Sequence, residues 1–265
     1  MSSIDQLFSK LRSENKKAFM PFVTAGDPNL EFTSAALQRL SNAGCHLCEV
    51  GIPYSDPIAD GPTIQASYTR ALDKKVKLSG ILEMLKEATP KMTAPAVTMV
   101  SYAIIYRYGL QKYVDDARAA GVAGAIVPDL LLEEAAEFSA ICRAADFSLV
   151  QLVTPTTPRP RAIAIANTSS GFIYYVSVTG ITGERQELPA ELLDNVAWLR
   201  EQTELPVCIG FGISTPEHVK KLAPVADGLI VGSAIVRRIA EAARRDDQEV
   251  LDDVEQYAKS LLAVI

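Results

Sequence analysis

Basic charge is scarce along this 265-residue chain: 26 Lys and Arg stand against 32 Asp and Glu, a formal net charge of −6. With no basic stripe the surface cannot hold a nucleic-acid backbone, although local donors still suffice for a small anionic substrate. No apolar run approaches the roughly 20 residues of a membrane-spanning helix. The opening MSSIDQLFSK has neither the apolar core of a secretory signal nor the Arg-rich character of a transit segment. A cytoplasmic protein is expected, or a plastid stromal one already relieved of its transit peptide. Cysteine is limited to Cys45, Cys48, Cys142 and Cys208, and histidine to His46 and His218. The string CHLC at 45–48 has no second CxxC and no His pair to complete a metal site, and on a strand its thiols would point to opposite faces. The four are expected to be small core hydrophobes in a reducing compartment, with no metal bound.

Hydrophobic residues make up 48% of the chain, enough for a large core. Strand-like apolar runs alternate with amphipathic stretches from near residue 18 to near residue 241, the pattern of parallel strands joined by helical crossovers. Strands are expected at 18–24, 46–50, 96–101, 124–128, 148–153, 171–176, 206–210 and 228–231. Helices are expected at 30–42, 63–72, 79–88, 110–120, 132–145, 160–166, 189–200, 215–222, 233–240 and 248–263. Eight units without a linker or compositional break predict a single α/β domain over residues 1–265, a (β/α)8 TIM barrel with extra helices. An open eight-stranded sheet is the alternative, but neither GxGxxG nor a P-loop occurs at a strand-to-helix turn. The working face of a barrel is the C-terminal end of its strands. Thr24, Glu49, Tyr102, Asp129, Tyr174 and Gly210 fall at or just beyond such ends.

The most informative segment is EVGIPYSDPIADGPTIQ at 49–65. Glu49 follows Leu47 and Cys48, as at the end of a buried strand, whereas Asp60 lies among Pro53, Asp56, Pro57 and Gly61-Pro62, the punctuation of a rigid loop. A loop carboxylate brought back over a strand-end carboxylate suits acid/base chemistry on a small molecule, because their surroundings can separate their pKa values. Ordinary acids on a solvated loop are the plainer alternative, yet a Glu in apolar surroundings is costly unless used or paired. Three Gly-bearing turns follow the late strands, at 180–183, 210–214 and 232–233. The last two are where this fold holds a phosphate, with Ser233 opening a helix whose N–H groups and dipole attract an anion. The polar segment GITGERQEL at 180–188 is long for a strand-to-helix connection and is expected to close as a lid, Thr182 reaching a carboxylate.

Taken together these residues resemble the α-subunit family of tryptophan synthase. The resemblance runs through PFVTAGDP (21–28), EVGIPYSDPIADGPTIQ (49–65), VPDLLLEE (127–134), YYVSVTGITG (174–183), GFGIS (210–214) and GSAIV (232–236), and so spans almost the whole chain. The carboxylate-bearing segment is its specific part; GFGIS and GSAIV alone would indicate only a phosphate-binding barrel. The resemblance implies a lyase of tryptophan biosynthesis that cleaves indole-3-glycerol phosphate to indole and glyceraldehyde 3-phosphate by retro-aldol chemistry, without cofactor or metal. By the same resemblance Glu49 is the general acid/base, Asp60 pairs with the indole N–H, and Tyr174 lines the pocket beside Glu49. Gly183, Phe211, Gly212, Gly232 and Ser233 correspond to the phosphate site, and Phe22, Val100, Tyr102, Leu130, Val153 and Phe211 enclose the indole. The implied partner is a tryptophan synthase β subunit in an αββα heterotetramer, with 53–57 as the candidate interface. A stand-alone lyase releasing free indole and a non-catalytic activator barrel are the alternatives. Ile104 stands where members commonly carry Asn, and Val178 where Arg or Lys is frequent. These departures bear on the lid and on communication with the partner, not on acid/base chemistry.

Overall fold

The computed structural model describes residues 2–57, 60–177, 191–210 and 212–265. Two runs of parallel strands leave β1 (Ala18–Thr24) in opposite directions around a ring. One passes through β2 (Cys48–Gly51), β3 (Ala96–Met99) and β4 (Val122–Ile126) to β5 (Ser148–Val150). The other comes back from β6 (Leu152–Val153) through β7 (Ile173–Val176) and β8 (Val207–Gly210) to β9 (Gly228–Val231). Only Gln151 separates β5, which pairs with β4, from β6, which pairs with β7. They are halves of one barrel position, so nine segments close a ring of eight. Gln151 is buried at the change of neighbour; its side-chain amide donates to Thr168 Oγ1 at 2.8 Å and its carbonyl accepts from the Tyr174 N–H at 3.1 Å.

Helices clothe the ring: α1 (Ser3–Ser13), α2 (Leu30–Asn42), α3 (Pro62–Asp73), α4 (Leu78–Ala88), α5 (Tyr102–Tyr108), α6 (Leu110–Ala119), α7 (Ala135–Ala144), α8 (Arg159–Thr168), α9 (Leu192–Glu201), α10 (Pro216–Leu222), α11 (Ser233–Ile239) and α12 (Asp247–Leu262). Their starts carry local signals, such as Asn29 accepting from the Phe32 N–H at 2.7 Å before α2 and Thr215 accepting from the His218 N–H before α10. β1, β9 and α2 have the expected bounds. The helix expected at 132–145 opens with a 3₁₀ turn, Leu132–Glu134, before α7.

With helices outside and side chains inside, each strand is buried on both faces. Along β1, Ala18, Met20 and Phe22 pack in the barrel interior while Phe19 and Val23 pack in the layer beneath the helices. On β2, Cys48 and Val50 belong to the helix-facing layer, which turns the intervening Glu49 inward. Cys45 precedes the strand and shares that outer layer, so the two thiols are not on opposite strand faces as the spacing suggested; all four cysteines are free and buried. His46 Nδ1 accepts from the Phe19 N–H at 3.1 Å, a structural role.

Two helices were not anticipated. α5 follows β3 directly, and Gly109 at φ +99° parts it from α6. α1 begins with a capping box of Ser2 and Asp5 and buries Ile4, Phe8 and Leu11 among the interior side chains, Phe8 lying 5.8 Å from Phe172 between ring centroids. It closes the barrel at the end opposite the strands' C-termini. Phe8→Ala should therefore cost about 3–5 kcal/mol, seen as a lower urea midpoint at unchanged m-value, while activity of the folded protein at 25 °C stays near parental.

Candidate active site

Glu49 stands inside the barrel at the level of Phe22 on β1 and Val97 on β3, with which it is in register. It is 1% exposed, and neither carboxylate oxygen has a hydrogen-bond partner among the described residues. Burial, reinforced by the negative charge of Asp60, pushes its pKa up to about 8. Asp60, two residues before α3, is 8% exposed, and burial raises it to about 6. At neutral pH the pair therefore carries one proton, on Glu49, and one charge, on Asp60. β2 runs on to Gly51, so Glu49 sits within the strand and not at its last residue.

The walls around the pair are aromatic. The Phe22 ring lies across Gly51, where any Cβ would overlap it, and a Cβ there would also come within 3.0 Å of Tyr68 Oη. Tyr174, on β7, is covered in the same way by the bare backbone of Gly210. Its phenol is 3% exposed, and burial together with Glu49 and Asp60 holds it well above its usual pKa, a neutral hydroxyl. Tyr68, on the inner face of α3, feels burial first and then Asp60, Tyr54 and Glu49. Tyr54 is pushed up to about 12, by burial ahead of Asp60, Asp129 and Asp56.

Across the mouth, Gly212 adopts φ +75° after β8, and Gly232 turns the chain from β9 into α11. The Phe22 side chain reaches this turn as well: a Cβ on Gly232 would lie 3.6 Å from Phe22 Cβ. Phe22 thus bridges the carboxylate side and the glycine-turn side of one opening. Asp129 ties neighbouring loops by accepting from Ser101 Oγ at 2.6 Å and from the Tyr102 N–H at 2.7 Å.

The family model described as tryptophan synthase alpha chain matches residues 8–264. The chain belongs to the tryptophan synthase alpha chain family. A tryptophan synthase alpha chain from Rhodopirellula baltica is 60% identical over 262 residues, covering 98% of this chain and 94% of its own length. Another, from Caldanaerobacter subterraneus, is 42% identical over the full length of both. Among solved structures, the tryptophan synthase subunit alpha of Legionella pneumophila superposes with a TM-score of 0.89 at 33% identity, covering 100% of this chain and 98% of that one. A chain of the tryptophan synthase complex from Pyrococcus furiosus gives 0.85 at 36% identity, covering 93% and 98%.

Of the residues singled out from sequence, Glu49, Asp60, Tyr174 and Phe22 come together at one mouth, with Gly212, Gly232 and Ser233 on its far side. Tyr102 is half-buried at the start of α5, its ring packing 6.3 Å from Phe138 and 6.1 Å from Tyr106 on the helix side. Val100, Leu130 and Val153 likewise pack in the helix-facing layer. Thr182, Gly183, Phe211, Val178 and the expected lid at 180–188 lie outside the described residues. Tyr68 and Gly51 were missed; the helical spacing of Ile64, Tyr68 and Ala71 marked the buried face of α3 without showing what it met.

A carboxyl group with an ordinary pKa of 4.5 and a folded value near 8 makes stability depend on pH. Below 4.5 both folded and unfolded forms hold the proton and nothing is lost; between 4.5 and 8 only the unfolded chain releases it, so stability falls as pH rises. The total is about 5 kcal/mol. Glu49→Gln should therefore melt close to the parent at pH 5 and above it at pH 8, by up to roughly 10 °C. An offset that does not change with pH would contradict this.

Proposed function

We propose that this chain cleaves indole-3-glycerol phosphate to indole and glyceraldehyde 3-phosphate, the lyase step of tryptophan biosynthesis. The observation that carries the reading is a buried Glu49, with no hydrogen-bond partner among the described residues, beside a buried Asp60 inside an aromatic-walled mouth, burial raising the pKa of both carboxyls. Glu49 gives its proton to indole C3. The positive charge that develops toward the ring nitrogen is stabilised by Asp60, a fixed anion in a site sheltered from water. The C3–glycerol bond then breaks, its electron pair restoring the aromatic ring, while the hydroxyl on the departing carbon becomes the aldehyde and yields its proton to the Glu49 carboxylate. Glu49 ends the cycle protonated, as it began.

Phe22 and Tyr174 wall the indole. Gly212, Gly232 and Ser233, together with Gly183 and Phe211, hold the phosphate through backbone N–H groups. Thr182 completes the set of substrate-binding residues. We place Tyr102 as a support for the strand-end loops and not as a wall. The chain works as a single domain over residues 1–265, in the cytoplasm; no described helix is long and apolar enough to cross a membrane.

Indole passes to a tryptophan synthase β subunit in an αββα heterotetramer. Support comes from the strand C-terminal side of the barrel, where Ser55 and Asp56 are exposed and Tyr106 and Leu131 present apolar surface at 72% and 55% exposure. The likeness to a chain of the tryptophan synthase complex from Pyrococcus furiosus favours a partnered enzyme over a stand-alone lyase.

Because Asp60 must be ionised and Glu49 protonated in the free enzyme, kcat/KM should rise through about pH 6 and fall above about pH 8. Glu49→Gln should lower indole formation by about 10³-fold or more while leaving the fold and phosphate binding intact. Near-parental turnover of that variant would remove Glu49 from the mechanism.

A further inference from the structure

Asp60 is useful only where its carboxylate meets the ring nitrogen, so what holds its main chain in place bears on the reaction. Gly61, the residue capping α3, supplies no side-chain cap. The anchoring comes from Gln65. Its side-chain amide donates to the Asp60 carbonyl at 2.7 Å and to the Pro57 carbonyl at 3.3 Å, and the Asp60 N–H donates to that same Pro57 carbonyl at 3.1 Å. One side chain thus ties both Pro57 and Asp60 to the first turn of α3.

α3 is in turn fixed to the last residue of β1 and the segment after it at three points. Ser67 Oγ and Thr24 Oγ1 lie 2.6 Å apart. Arg70 makes a two-pronged pair with Asp27, Nε to Oδ1 at 2.8 Å and Nη2 to Oδ2 at 2.7 Å, and Asp27 is 2% exposed. Lys74 Nζ donates to the Pro28 carbonyl. β1 is also the strand that sends Phe22 into the mouth beside Glu49. The placement of Asp60 relative to Phe22 and Glu49 is therefore set by a continuous polar path: Asp60 main chain, Gln65, α3, Arg70, Asp27, β1.

We propose that Gln65 and the Asp27–Arg70 pair are positioning residues for the lyase reaction, Gln65 holding the Asp60 main chain to α3 and the ion pair holding α3 to the end of β1. The inference rests on the reading of Asp60 as the partner of the indole nitrogen. None of the three touches the reacting atoms. Their effect is geometric, and displacement of a catalytic group by about 1 Å can cost about 10²-fold in rate.

Gln65→Met keeps the length of the side chain and removes the amide, at a half-buried position where the fold tolerates it. The titratable groups facing Asp60 are Glu49, Tyr54, Tyr68 and Tyr174, all retained in this variant. Freed of its anchor, Asp60 meets more water. The expected result is a kcat lower by about tenfold or more, KM changed by less than about threefold, and an acid limb of kcat/KM moved down by about half a pH unit or more. Arg70→Met should act in the same direction, with Arg70→Lys recovering part of the loss. A purely structural role would lower thermal stability and active fraction but leave the acid limb in place.

A parental kcat and acid limb in Gln65→Met overturns the proposal. If Asp60→Asn is inactive in the same assay, only the positioning claim falls. A parental kcat in Asp60→Asn instead refutes the role of Asp60 itself, and the proposal falls with it.

Discussion

A carboxyl group enclosed in a closed barrel, with neither oxygen hydrogen-bonded among the described residues, sets the terms for everything around Glu49. Desolvation of an ion in such a place is expensive, and the protein meets the cost by keeping the proton on. Enclosure requires the ring to close, which the change of neighbour at Gln151 achieves. It also requires the inward side of β2 to be covered, which Phe22 and Tyr68 do by lying against the bare backbone of Gly51. Asp60 completes the arrangement: sited nearby with a lower pKa, it takes the one negative charge the pocket accommodates at neutral pH and raises Glu49 further.

The barrel interior is graded along its axis. At one end α1 drives Ile4, Phe8 and Leu11 into the bore, and Leu47, just before β2, and Met20, midway along β1, continue the apolar packing. The carboxyls of Glu49 and Asp60 and the phenols of Tyr68 and Tyr174 gather toward the strand C-termini, above this apolar packing. Stability and chemistry are thus concentrated at opposite ends of one cavity. This is why loss of Phe8 should damage the first without the second.

Much of this was readable from the chain because strands buried on both faces leave unbroken apolar runs, and because a Glu among Leu47, Cys48 and Val50 has few plain explanations. β1 and β9 matched to the residue for that reason. α1 escaped notice although Ser2 and Asp5 form a capping box and Ile4, Phe8 and Leu11 keep helical spacing; nothing local reveals that a terminal helix plugs a barrel. The division of 148–153 into two segments depends on which neighbours each half meets, and α5 is a seven-residue helix set directly after a strand. Tyr102 shows the limit most clearly. Its position at a strand end was legible, but the direction of its ring was decided by Phe138, far away in sequence. The roles of Tyr68, Gly51 and Gln65 are likewise set by contacts from separate elements.

The central claim, that Glu49 is a neutral acid at physiological pH, can be read without turnover. Carbon-13 NMR of the glutamate carboxyl resonances, with Glu49 assigned by its loss in Glu49→Gln, follows the group through a pH titration. The midpoint should lie near 8, with the Asp60 carboxyl titrating near 6 in an aspartate-labelled sample. A Glu49 midpoint at its ordinary 4.5 would show a hydrated or paired carboxylate, and the account of the site would be wrong.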